Sequence, residues 1–285
     1  MELRRRVVHA IVRLHDYRTL IPVAATLLVP AASALAQTSV EVSPLRVELI
    51  MGAGGTHTQA VTLTNRGAEP VRIRARVQDW FLSKDGTPQF DAQLPEPEIS
   101  FSASSWIRLA PPEQVIEPGK DGTVRFTTTA PSTAADAGYR AAVMFEFAPA
   151  GGEPAAARRS VQFRSRVATL VYVNVGKTAA QVELTDLMSR PGPDRTSIIA
   201  VLKNGGRSNV RTSGTMAIRD AGGRTIRTVD VPNVPVLPQS EREVAIVTAA
   251  EGQAPLAAGE YRVEVRIDVG RPEVIVGETT LKVPR

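Results

Sequence analysis

The chain has no cysteine, three histidines, and aromatic residues at 5% of its 285 positions. Without cysteine, no disulfide can hold the fold together, so packing and strand pairing must do it. Two of the histidines, His9 and His15, fall in the first residues, which leaves His57 alone beyond them. A lone histidine beside Gly54-Gly55 reads as a solvated loop residue rather than a base, and there is no Cys or His cluster to bind zinc. No glycine-rich phosphate loop precedes a helix, and nothing between Gln37 and Arg285 shows sustained helical periodicity with caps. Apolar runs are short as well. The longest near the start, Leu20 to Val29, is interrupted by Pro22 and falls below the ~20 residues of a spanning helix.

What the first residues do contain is an address. Arg4, Arg5 and Arg6 form a basic leader, and Ala34-Leu35-Ala36 is a small-x-small cleavage signal before Gln37. This pattern predicts a signal peptide over residues 1–36, export, and cleavage after Ala36, against the alternative of an uncleaved anchor. Removing it takes away Arg4, Arg5, Arg6, Arg13, Arg18, Glu2 and Asp16. The 34 basic and 29 acidic residues then become 29 and 27, and the formal charge falls from +5 to +2. So small and dispersed a charge gives no case for nucleic acid.

Strand signals fill the remainder. Val40 to Leu49 alternates, with Pro44 marking an edge or a bend where a ladder donor is missing. Gln59 to Asn65 and Val71 to Val77 alternate around Asn65-Arg66-Gly67, a hairpin-like turn. In the second of these, Val71, Ile73, Ala75 and Val77 share one face, and Arg72, Arg74 and Arg76 form a solvated basic face. The pattern changes near Asn174-Val-Gly-Lys177. Beyond it, Gln181 to Leu187, Thr196 to Asn204, Ser213 to Asp220, Arg224 to Val231, Glu241 to Ala249, Gly259 to Asp268 and Glu273 to Val283 read as seven short strands. Turn residues separate them, as in an immunoglobulin-like sandwich. The prediction is an all-β chain of two immunoglobulin-like β-sandwich domains, residues 37–173 and 174–285, following the leader.

Val115-Ile-Glu-Pro-Gly-Lys-Asp-Gly-Thr-Val-Arg-Phe126 sets two strand-like segments about a Pro-Gly turn, just after Trp106-Ile-Arg-Leu-Ala-Pro-Pro112. A strand at Gly138 to Phe147, a loop rich in Ala, Pro and Gly, and the alternating run Ser160 to Val175 follow. This order, over roughly Ser39 to Val173, resembles the N-terminal domain of the periplasmic chaperones that assemble pili by the chaperone/usher route. The resemblance implies a non-enzymatic periplasmic chaperone that caps pilus subunits by donor-strand complementation. Its partners would be pilin-like subunits and an outer-membrane usher, with no cofactor and no metal. In that family the last strand of the domain lends alternating apolar side chains to an incomplete subunit, which is β-augmentation.

Carried onto this sequence, the resemblance places the donating segment at residues 159–167 and a core segment at Ala168 to Val173. Val161, Phe163 and Val167 lie on the donating face, with Gln162, Arg164 and Arg166 opposite. The family's arginine for the subunit's terminal carboxylate matches Arg46 in Pro44-Leu-Arg-Val-Glu48. Its lysine position falls at Ala168, and Arg166, on the same face, is the candidate substitute. Gly138-Tyr139-Arg140 stands where many members carry Arg-Glu-Ser. Asp79, Asp85 and Asp91 are spaced unlike an EF-hand loop and read as turn residues. The other class of function compatible with these strands is an immunoglobulin-like structural or adhesion-scaffold module of the cell envelope.

Overall fold

The structure, a computed structural model, describes residues 39–96, 98–151, 165–178, 180–192, 196–249 and 252–283. The leader with its cleavage position lies outside the described residues. So does most of the Ala, Pro and Gly loop, together with Val161 and Phe163.

The described chain is built of strands and two short 3-10 turns, Glu98–Phe101 and Ser104–Trp106. In the first half these are β1 (Val40–Ser43), β2 (Arg46–Met51), β3 (Thr56–Asn65), β4 (Val71–Gln78), the small pair β5 (Phe81–Leu82) and β6 (Pro88–Gln89), β7 (Ile107–Ala110), β8 (Glu113–Ile116), β9 (Asp121–Thr129), β10 (Ala137–Pro149) and β11 (Ser165–Val175). One sheet has the order β1-β3-β9-β7 and its partner the order β2-β11-β10-β4-β8. Between them lies a core that includes Val61, Leu63, Phe126, Val143, Phe145, Val171 and Val173. A fully buried aromatic or branched side chain of this kind stabilises the fold by about 2–3 kcal/mol.

The period-two reading of β4 holds: Val71, Ile73 and Ala75 are buried and the three arginines exposed. Arg72 and Arg74 face Glu113, and Arg76 faces Glu146 at 3.0 Å. Two local expectations are corrected. Asn65-Arg66-Gly67 does not close a hairpin, because β3 and β4 belong to opposite sheets and the chain crosses between them there. His57 is not in a loop; it sits in β3, its ring 2.9 Å from the Gln59 amide. Turn chemistry records that the chain reverses, not which sheet it enters next. Pro118-Gly119, with Gly119 at φ 70°, is likewise a crossing, from β8 to β9.

The second half contains β12 (Val182–Arg190), β13 (Ser197–Asn204), β14 (Val210–Arg211), β15 (Ser213–Arg219), β16 (Thr225–Asp230), β17 (Pro235–Val236), β18 (Ser240–Val247), β19 (Gly259–Asp268) and β20 (Ile275–Val283). Sheets β12-β13-β18 and β16-β15-β19-β20 enclose their own core, with Ile198, Leu202, Met216, Ile218, Val263 and Ile267 fully buried. The fold is therefore all-β and made of two sandwiches.

Each sandwich uses the same two fixtures. Buried Asn65 donates its amide to Glu69 O and Ile116 O and accepts from Gly67 N–H. Buried Asn204 donates to Ser208 O and Val236 O and accepts from Gly206 N–H. The Tyr139 hydroxyl donates to Ala135 O at 3.0 Å, and that of Tyr261 to Ala257 O at 2.8 Å. Both are tyrosine corners of the immunoglobulin type.

Contacts tie the halves together. Gly138 N–H donates to Arg207 O, and the Asn209 amide to Tyr139 O. Leu237 packs with Trp80, Ala142 and Tyr172 on the outer face of the β2-β11-β10-β4-β8 sheet. In the β5–β6 hairpin, Lys84 O accepts from Glu243 N–H at 2.7 Å and Lys84 Nζ is 3.0 Å from Glu241.

Candidate functional site

β10 pairs with the whole of β11, from Ala137 opposite Val175 to Phe147 opposite Ser165. On its other side β11 is covered only in part. β2 runs parallel to it from Leu170 opposite Arg46 to Val175 opposite Met51. Among the described residues, no strand lies on that side of residues 165–169. Leu170 N–H donates to Leu45 O, so it points toward β2. Alternate residues of a strand direct their backbone groups to the same side. The N–H and C=O groups of Arg166 and Ala168 therefore face the open edge, whereas those of Val167 belong to the β10 ladder.

The side chains divide just as strictly. Val167 is half-buried against the first core, and Thr169 is buried, its hydroxyl donating to Pro44 O at 2.8 Å. Arg166, Ala168, Leu170 and Tyr172 occupy the outer face, where a cavity of about 350 Å³ is lined by Leu45, Phe90, Met144, Arg166, Ala168 and Leu170. The segment between β4 and β7 forms one wall. It is fastened by the buried ion pair of Arg140 with Glu98, by Arg140 Nε donating to Trp80 O, and by Ser102 donating to Asp79. Burial pulls the Arg140 guanidinium down to about 10, still charged at neutral pH.

Arg166 is already engaged. Its two terminal nitrogens donate to the two carboxylate oxygens of Asp91 at 3.1 and 2.7 Å. That fork-on-fork contact, with help from Gln78, brings the Asp91 carboxyl down to about 2. The pair is solvent-exposed, so water and salt weaken it.

Arg46 opens β2 with its side chain 49% exposed, and its Nε lies 3.3 Å from Glu48 Oε1. The same oxygen is 4.0 Å from Nη1 of Arg211, which is only 23% exposed. Arg211 comes from β14 in the second sandwich and is held by Asn233, through Nε to Oδ1 at 2.6 Å and Nη2 to O at 2.8 Å. Tyr172, opposite Glu48, is buried, and burial pushes its hydroxyl pKa up while Arg211 pulls the other way. The sequence reading reached Arg46 but neither Glu48 nor Arg211. The alternation Arg46, Glu48, Ile50 was a signal for the first; nothing local marked the second.

No family model matches the sequence, and no curated protein matches it. Solved structures do. The chain is similar to solved pilus chaperones. A chaperone–tip adhesin complex of CFA/I fimbriae biogenesis shares 12% identity over 87% of this chain and 100% of that one, with a TM-score of 0.46. The YadV chaperone shares 12% over 85% and 99%, at 0.44. The chaperone–tip adhesion subunit pre-assembly complex of the Csu pili of Acinetobacter baumannii gives 15% over 73% and 91%, at 0.40.

The remaining polar candidates have local duties. Asp85 accepts from Ser83 Oγ at 2.6 Å and from Thr87 N–H at 3.0 Å, closing the β5–β6 turn. Asp79 accepts from Ser102 and Asp91 from Arg166. No helix among the described residues is long and apolar enough to cross a membrane.

Proposed function

We propose that the chain is an exported, non-enzymatic chaperone of the periplasm that caps pilus-type subunits by donor-strand complementation. In this reading residues 1–36 are its cleaved signal peptide, 37–173 the client-binding domain and 174–285 the second domain. The observation that carries it is the open edge of β11 at residues 165–169, which continues a run of alternating apolar residues. Such an edge is a template for another chain and is normally blunted or covered. Here the covering strand is what a subunit supplies. Val161 and Phe163 supply the apolar anchors, with Val167 nearer the chaperone's own core.

The subunit's strand is taken to run parallel to β11, as β2 does. A strand added parallel to β11 upstream of Leu170 is collinear with β2, so its C-terminus arrives at Leu45 and Arg46. Arg46 then grips the terminal carboxylate. Arg166, four residues up the strand from Leu170 and held by Asp91, stands along the path of the added strand rather than at its carboxylate end. Pilin-like or tip subunits are the expected clients, as in the chaperone–adhesin complexes it resembles, and an usher is the expected acceptor.

Two adjacent proline substitutions separate the open edge from the closed one. Ala168→Pro removes an N–H that faces the edge, a position where strands tolerate proline. It should leave thermal unfolding within a few degrees of the parent and stop subunits from co-purifying out of the periplasm. Val167→Pro removes a ladder donor to β10 and should abolish the soluble fold. Undiminished subunit recovery with Ala168→Pro would refute edge donation and favour the structural or adhesion-scaffold module.

A further inference from the structure

We infer that the cavity beside the open edge of β11 is a side-chain pocket that selects the client: it takes one large apolar side chain of the added strand, at the position opposite Ala168. The inference rests on the strand-edge reading above and adds a requirement on the subunit that the edge alone does not impose. Backbone groups fix the kind of occupant. The N–H and C=O of Ala168 point away from β10, and among the described residues no strand meets them. What settles there is therefore an extended chain, which brings its own alternating side chains with it. One wall of the pocket is in place beforehand, because Phe90 packs with the cluster of Trp80, Ala142, Tyr172 and Leu237.

Rows of the sheet fix where the side chain goes. Opposed residues of neighbouring strands share a face and lie side by side. In the row through Leu170, Ala142 stands on one side and Arg46 on the other. In the row through Ala168, buried Met144 stands on one side, and the row then stops at the edge. Its missing member is a residue of the added strand, whose side chain enters the space bounded by Leu45, Phe90, Met144, Arg166, Ala168 and Leu170. Size and polarity fit as well. At about 350 Å³ the cavity is large enough for an aromatic ring, and its lining residues are apolar except for Arg166. Arg166 closes the rim with its terminal nitrogens turned to Asp91. Leu45, 56% exposed, is apolar surface that the entering group takes out of water. Ala168 keeps the floor low, and a larger residue there would fill the space from within.

The competing explanation is a packing gap, left where the segment between β4 and β7 lies over the sheet. The test uses the mature full-length chain and two N-acetylated Val/Thr strand peptides that differ at one central position, Phe in one and Ala in the other. Titration calorimetry reads affinity, and the parent should prefer the Phe peptide about tenfold. The ring should shift the NMR signal of the Met144 methyl, which the Ala peptide leaves in place. Ala168→Leu fills the pocket and should bring the two peptides to equal affinity without weakening the Ala peptide. Leu45→Ser, at an exposed position, should lower the preference in part, and thermal unfolding shows that each variant is folded. A preference that survives Ala168→Leu, or an unmoved Met144 methyl, would overturn the pocket. So would a dimer of the free protein that Ala168→Leu dissociates, since the occupant is then a second copy. If both peptides bind the parent equally, the edge stands and the pocket alone falls; if neither binds, the edge reading fails and takes the pocket with it.

Discussion

The two sandwiches share their fixtures and differ at their edges. Asn65 and Asn204 each bridge two carbonyls and a glycine N–H, and Tyr139 and Tyr261 each reach back four residues to a carbonyl. The closing strands part company. In the second sandwich Leu184 and Leu187 of β12 lie against Gly277 of β20, and β20 pairs with β19 from end to end. In the first, the opening strand is split at Pro44: β1 stays with β3, and β2 covers β11 only from Leu170 onward. The same architecture is thus finished differently, and among the described residues an edge is left unpaired where one strand stops short.

The largest effect expected from this comparison is at the asparagines. Asn65→Ala and Asn204→Ala each leave two carbonyls and an N–H without partners in a buried place, which should cost about 3 kcal/mol apiece. Chemical denaturation of the two variants measures it. Near-equal losses confirm that the fixture is shared; a loss confined to one half would break the comparison.

A smaller effect sharpens it. Tyr139→Phe removes a part-buried hydrogen bond from a ring that also packs on Trp106 at 4.4 Å, and should cost about 1 kcal/mol. The Tyr261 bond is exposed, so Tyr261→Phe should cost less. The difference between their melting temperatures is the readout.

The smallest effect concerns an ion pair near the open edge. The Asp91 carboxyl titrates at about 2, below the ~3.9 of an unfolded chain. A depressed folded value adds stability that is present above the unfolded pKa and is lost as pH falls through the folded one. The Arg166–Asp91 contact should therefore persist at neutral pH and dissolve between roughly pH 4 and pH 2, with little change in overall stability. Carboxyl NMR should place the Asp91 midpoint near 2 in the parent and higher in Arg166→Gln. An unmoved midpoint would mean that the latch does not form in solution.

Alternation was what made the fold legible. Gly259 to Asp268 was read to the residue, and Ser213 to Asp220 ends one residue past β15. Period two is a property of a strand's own residues, so it survives in sequence. Sheet membership does not, which is why Asn65-Arg66-Gly67 looked like a hairpin. The site was legible by half. Arg46 lies on an alternating strand, but Arg211 is a lone basic residue on the short β14, and its meaning comes from Glu48, far away in sequence. The segment between β4 and β7 was opaque for the same reason: Glu98 and Asp91 are defined by Arg140 and Arg166.

The β5–β6 hairpin has a mechanical consequence. It springs from the first sandwich yet gives a backbone carbonyl and a lysine ammonium to β18 of the second, while the short link between β11 and β12 joins the same two bodies. The hairpin is thus a brace added to the Gly138–Arg207 and Asn209–Tyr139 bonds and the Leu237 packing, and each such joint removes degrees of freedom from the motion of one body against the other.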